Sequence, residues 1–188
     1  MERRRRLLNP LVAAALAFGL AFAVPAGAQA DDKLDTLLEE LAQPDLERWQ
    51  RVERQIVAEW SRSGSAAMDL LLQRGRAALE DGDTEAAIEH LTALVDHAPG
   101  FAEGWYSRAT AYFQAGAYGP AMRDLYEALA LNPRHFGALT GLGTILEETD
   151  QRERALEAYR EAIAIHPHQP SIKRALERLE RALSGFEA

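Results

Sequence analysis

His166 and His168 stand on either side of Pro167 in the run AIAIHPHQP. Two imidazoles this close can begin a metal site, because a neutral ring nitrogen is a common metal ligand. Such a site needs further ligands nearby, and the neighbouring residues supply none. Other stretches hint at chemistry in the same way. GALTGLGT, from Gly137 to Thr144, has the glycines of a phosphate loop, but those loops follow a strand and open a helix, whereas this run lies inside a helical pattern. EDGDTEA, from Glu80 to Ala86, is acidic like a calcium loop but lacks the ligand spacing and the distal glutamate. SRSGS offers serines without a nucleophile elbow or a matched histidine. His90 and His97 lie seven apart on one helical face, and His97 takes an apolar register where packing is expected of it rather than base chemistry. No paired carboxylates stand out from solvated helix faces. The chain reads as non-enzymatic, with no metal and no cofactor, so its stability is expected to be independent of both.

The background is that of a helical globular chain. Of 188 residues, 47% are hydrophobic and 27% charged, and alanine, leucine, glutamate and arginine dominate the second half. The first thirty residues differ from the rest. MERRRRLL is basic, the following run is apolar, and Ala28-Gln29-Ala30 is an A-x-A cleavage signature ahead of acidic DDKLD. These are the parts of a secretory signal peptide, with cleavage expected after Ala30 and a periplasmic or secreted destination. Retention as a membrane anchor is the alternative. Residues 1–30 hold four Arg and one Glu, so the mature chain carries 17 basic and 28 acidic residues, a net charge of −11. Phosphate backbones and anionic lipid surfaces repel such a chain, so neither nucleic acid nor, after cleavage, a membrane is an expected partner. There is no cysteine, which removes disulfides, thiolate chemistry and lipid attachment after the signal.

A fixed period runs through the centre. Pro99, Pro133 and Pro167 are 34 residues apart, and so are Ala87, Ala121 and Ala155. Gly75, Ala109 and Gly143 keep the same interval, as do Leu71, Trp105 and Leu139, and Leu91, Leu125 and Tyr159. Proline marks helix boundaries, small residues allow two helices to approach, and large apolar residues fill what is left. Each unit therefore reads helix, turn, helix, turn. His166 occupies the slot of Ala98 and Asn132 at a helix C-terminus, where a partly cationic ring is favoured, and His168 matches Gly100 and Arg134 in the turn.

This pattern resembles the tetratricopeptide repeat family. Residues 102–135 carry it most clearly, with Trp105, Ala109, Tyr112, Gly116, Tyr118, Ala121, Ala128 and Pro133. Residues 68–101 keep Gly75, Gly82, Ala87 and Pro99; residues 136–169 keep Leu139, Gly143, Ala155, Tyr159, Ala162 and Pro167, with Asp150 where glycine is commoner. The resemblance implies an all-α solenoid whose first helices line a concave groove for a protein or peptide partner. Carried over by position, the lining is Asp69, Leu72, Gln73, Arg76 and Leu79, then Glu103, Tyr106, Ser107, Thr110 and Phe113, then Gly137, Thr140, Gly141, Thr144 and Glu147. Tyr106 and Phe113 are the candidate apolar anchors, and Arg76 and Arg134 the polar specificity points. The chaperone-tail subclass clamps a terminal carboxylate with Lys and Asn. Leu72, Arg76, Glu103 and Tyr106 stand here instead, a departure from that clamp.

Two elements flank the repeats. Within residues 31–67, Leu34, Leu37, Leu38 and Leu41 form one helical stripe and Leu46, Trp49, Val52, Ile56 and Trp60 another, with Pro44 between. This hairpin is expected to cover the N-terminal end of the solenoid, with both tryptophans as packing anchors. Within residues 170–188, Ile172, Leu176, Leu179 and Leu183 make one amphipathic capping helix, with Glu177 at the small-residue register turned to water. The expected function is a periplasmic scaffold or adaptor binding a protein segment. The alternative is an accessory or small-ligand-binding module, for example for envelope glycan, of an envelope enzyme system.

Overall fold

The computed structural model describes residues 26–185, with side chains from Asp32 onward. Residues 1–25, which hold most of the signal-peptide reading, and the tail 186–188 lie outside the described residues. The described residues form nine helices and no strand. Helices α1 (Ala26–Leu41) and α2 (Trp49–Trp60) make the hairpin. Three pairs follow: α3 (Ala66–Glu80) with α4 (Thr84–His97), α5 (Ala102–Gln114) with α6 (Tyr118–Leu131), and α7 (Phe136–Glu148) with α8 (Arg152–Ile165). Helix α9 (Pro170–Ser184) closes the array, with Pro170 in its first turn, where a missing N–H costs nothing.

The three intra-repeat turns are built alike. Asp83 N–H donates to Ala78 O, Ala117 N–H to Tyr112 O and Gln151 N–H to Leu146 O, each at 2.8 Å. The residue before each donor is left-handed: Gly82 at φ 78°, Gly116 at 72° and Asp150 at 58°. This is the Schellman ending, which satisfies the last carbonyls of a helix and favours glycine. Asp150 fills a glycine position at a conformational cost.

Small residues hold each pair together. Ala87, Ala121 and Ala155 are fully buried. A Cβ on Gly75 would lie 2.4 Å from Leu91 Cγ, and one on Gly143 would lie 2.6 Å from the Tyr159 ring. The first helices touch one another along the array, α3 with α5 and α5 with α7, while each second helix packs chiefly on its sequence neighbours. The first helices are thus the inner layer of a curved stack. On the far side of α9, Glu177 is exposed, as a terminal cap requires.

Two expectations change. His97 is exposed in the last turn of α4 rather than packed, because its register faces out: Leu131, its counterpart, is 43% exposed. The hairpin does not cover the N-terminal end. It lies along the inner side, where Leu37, Leu38, Leu41, Val52, Ile56 and Trp60 share an apolar cluster with Phe136 and Ile165. Trp49 and Trp60 find ring partners there in His135, Phe136, His166 and His168.

Substitutions at the period positions separate packing from propensity. Gly75→Ala and Gly143→Ala are expected to lower the melting temperature, although alanine is the better helix former by about 1 kcal/mol. Asp150→Gly is expected to raise stability by about 1 kcal/mol by removing a left-handed non-glycine residue. Thermal unfolding followed by circular dichroism reads both.

Candidate functional site

The inner face is organised around Glu103, which is 2% exposed in the first turn of α5. Its Oε1 accepts from Arg76 Nη2 on α3, and its Oε2 lies 2.9 Å from His135 Nε2. His135 is the N-cap of α7, and its Nδ1 accepts the Ala138 N–H at 3.1 Å. With Nδ1 accepting, the ring proton sits on Nε2 and is donated to Glu103. Arg76 also donates to Ser61 Oγ at 2.9 Å, just beyond α2. One carboxylate therefore links α3, α5 and the N-terminus of α7, with Arg76 reaching on to the hairpin.

Aromatic rings pack around this centre. Trp60 stacks on His135 with centroids 4.5 Å apart, and Tyr106 approaches the same ring at 4.5 Å. Burial and the neighbouring Glu103 carboxylate push the Tyr106 phenol above its ordinary pKa. Farther along, Trp49 lies 5.8 Å from His168 in parallel and 5.3 Å from His166 edge-on. His168 Nε2 sits 3.1 Å from Leu41 O, so the opening histidines hold the hairpin. Arg134 and Lys33 pair with Asp35 and Glu59 respectively. The first pair joins the hairpin to the turn into α7, and the second ties α1 to α2 within the hairpin.

His166 is fully buried, which corrects the expectation of a partly cationic ring. Burial, reinforced by His168, pushes it down to about 4. Its Nε2 is 3.4 Å from Glu53 Oε1 but makes no hydrogen bond of proper geometry, so a neutral ring faces a carboxylate and no ion pair forms. Burial in turn holds Glu53 above the usual carboxylate range. Among the described residues, no group of three or more His, Asp or Glu could hold a metal.

The position-derived residues divide into two sets. Leu72 is 2% exposed and belongs to the core of repeat one. Asp69 accepts from the Ser63 N–H and hydroxyl, which tie down the loop before α3 and hold its carboxyl low. Gln73 is exposed. Arg76, Glu103 and Arg134 are engaged within the molecule, so neither arginine is a free specificity point. Glu147 accepts from Arg178 at 2.7 Å. Leu79 packs on the core of repeat one and Ser107 is buried, so neither lines the groove as expected. Tyr106, Thr110, Phe113, Gly137, Thr140 and Thr144 come together with Leu125 and Gly141 around an uncharged notch of 190 Å³ between α5 and α7. Thr110 and Thr144 turn their hydroxyls back to Tyr106 O and Thr140 O, so these donors are satisfied within α5 and α7. A larger cleft of 580 Å³ adjoins it, walled by Trp49, Glu53 and Trp60 of the hairpin and sharing Tyr106, Gly137 and Thr140 with the notch. Sequence reasoning missed His135 and Glu53, because neither carries a positional signal; tertiary contact alone gives them a role.

Two models described as tetratricopeptide repeat match residues 72–130 and 112–179. A TPR repeat-containing protein of Rhizobium etli is 32% identical over 81% of this chain and 76% of its own length. The chain belongs to the tetratricopeptide repeat family. The small glutamine-rich tetratricopeptide repeat-containing protein 2 of Mycosarcoma maydis is 27% identical over 64% of this chain, which spans 34% of that protein. Among solved structures, the first TPR of Spaghetti (RPAP3), bound to an HSP90 peptide, has a TM-score of 0.61 at 24% identity, covering 64% of this chain and 98% of that one. That likeness is one of fold.

The buried imidazole makes hairpin docking sensitive to acid. Between an ordinary histidine value near 6.5 and about 4, the undocked chain binds a proton at His166 that the docked chain excludes. Docking is therefore expected to weaken as pH falls through that window. His168 and Glu53 face the same ring, and Glu53, raised by burial, pulls in the opposite direction. Fluorescence of Trp49 and Trp60 against pH is expected to show the transition, and His166→Phe to flatten it.

Proposed function

We propose that this chain is a non-enzymatic scaffold of the cell envelope that holds a segment of another protein in the inner groove, at the notch between α5 and α7. One observation carries the reading. The hairpin fills the groove's edge with the chain's own residues, yet the described residues leave the notch open, uncharged and lined by Tyr106, Phe113 and Leu125. Glycine at 137 and 141 keeps it open. An apolar side chain entering such a notch gains about 25 cal/mol for each Å² removed from water. The peptide held by the Spaghetti domain supports the same use of the fold. The departure from the chaperone-tail clamp stands: Leu72 is core and Arg76 is paired, so a chaperone tail is not the proposed ligand.

Export rests on the first thirty residues. Helix α1 runs through Ala30, so cleavage there would leave Asp31 and Asp32 in the first turn of the remaining helix, where acidic residues favour the helix dipole. Among the described residues, no helix is long and apolar enough to cross a membrane. N-terminal sequencing of the exported protein is expected to begin at Asp31; Met1 intact would contradict export by cleavage.

The groove is tested by placing a photo-crosslinking residue at Phe113 or at Tyr126, which is exposed on α6 away from the notch. A shared partner is expected to be captured from position 113 and not from 126. Phe113→Ala is expected to weaken that partner by about 2 kcal/mol or more, the scale of an interface anchor, while the protein stays folded. Tyr106→Ala is a less clean probe, because Tyr106 also packs on His135. Ala121→Leu is expected to damage the fold itself, since Ala121 is fully buried in the contact of α5 with α6. Equal capture from both positions would contradict the groove.

A further inference from the structure

We infer that the segment taken by this groove is basic: an apolar residue seats in the notch, and a lysine or arginine in the adjoining cleft meets the carboxylate of Glu53. This rests on the groove reading above and adds the chemistry of the partner. The cleft and the notch are continuous through Tyr106, Gly137 and Thr140, so one extended segment can occupy both. The notch has no charged residue in its lining, and the cleft has Glu53, Arg76 and Glu103. Arg76 and Glu103 satisfy each other, with Ser61 and His135 completing their hydrogen bonds.

Glu53 is different. Its side chain is 32% exposed on the α2 wall, and among the described residues it approaches the buried, neutral His166 ring at 3.4 Å. Arg54, the next residue on α2, acts on it only through space. Partial burial without a cation is costly for a carboxylate, and an incoming ammonium or guanidinium would relieve that cost. Trp49 and Tyr106 line the same cleft and offer apolar surface for the methylene stem of such a side chain.

Charge elsewhere points the same way. The depression that continues along α3 is lined by Asp69 and Glu80 as well as Arg76. Arg134 is held by Asp35, and Arg178 by Glu147. Among the described residues, an acidic segment would therefore meet Glu53 with no unengaged arginine in the cleft to offset it. The whole chain carries a net charge of −8, which steers cationic segments toward it. The peptide SRMEEVD on the Spaghetti domain ends in the opposite chemistry.

The test selects phage-displayed random octapeptides on the immobilised full chain, then measures synthetic versions of the winners by fluorescence anisotropy. Winners are expected to combine a large apolar residue with Lys or Arg. Replacing that Lys or Arg by Glu is expected to weaken binding at least about tenfold, and Glu53→Gln to remove the preference for Lys over Gln at the same position. Raising the salt concentration, which needs no variant, is expected to weaken the wild-type complex. Winners that are acidic or neutral, that ignore Glu53→Gln in a folded protein, or that are insensitive to salt would overturn the inference while leaving the groove intact. If no peptide is selected, or if Gly141→Leu leaves the affinity of every winner unchanged, the groove reading itself falls and this inference with it.

Discussion

The buried carboxylate of Glu103 is the constraint on which the inner face depends. A charge this far from water costs several kcal/mol unless its oxygens are satisfied. Arg76 from repeat one and His135 from the turn into repeat three satisfy them. His135 can do so only with its proton on Nε2, and the Ala138 N–H holds it in that tautomer. Trp60 then has a flat, oriented ring to stack on, and Ser61 meets the far side of Arg76. This chain of contacts, together with the apolar cluster around Phe136, holds the hairpin on the inner side.

The repeat architecture supplies the frame for that chain. Small residues at one register and large ones at another set the distance between helices within each unit, and the left-handed turn residues set the angle at which the second helix returns. Because the first helices contact each other along the array, their exposed positions converge on one inner surface. The hairpin covers the edge of that surface nearest the inter-repeat turns. What it leaves open is the stretch between α5 and α7, where glycines and threonines make room beside Tyr106 and Phe113. A scaffold that partly fills its own groove restricts which segments can enter and in which direction their charges must lie.

Local pattern carried the helices, the turns and the choice of inner face, because a 34-residue period with small, large and proline positions admits one stacking arrangement. Tyr106, Thr110, Phe113, Thr140 and Thr144 were legible for the same reason: register alone places them around one notch. Arg76 and Arg134 were misread as free, since nothing in their spacing marks Glu103 and Asp35 as their partners. Leu72 was misassigned because the inner face and the core of repeat one meet at its position. The hairpin had no counterpart in the repeat and hence no register to place it. His166 was read from its helix end, where charge is favoured, but Trp49 and Phe136 enclose it, and desolvation outweighs the dipole.

Hydrogen–deuterium exchange on the full chain, with and without a selected peptide, tests the central claim most directly. The account predicts new protection along residues 106–113 and 137–144, with 49–61 as protected as before, because the hairpin stays docked while the notch fills. Protection appearing on α4 and α6 instead, or loss of protection in 49–61 on binding, would contradict it: the first would place binding on the outer layer, and the second would make the hairpin a plug that the ligand displaces.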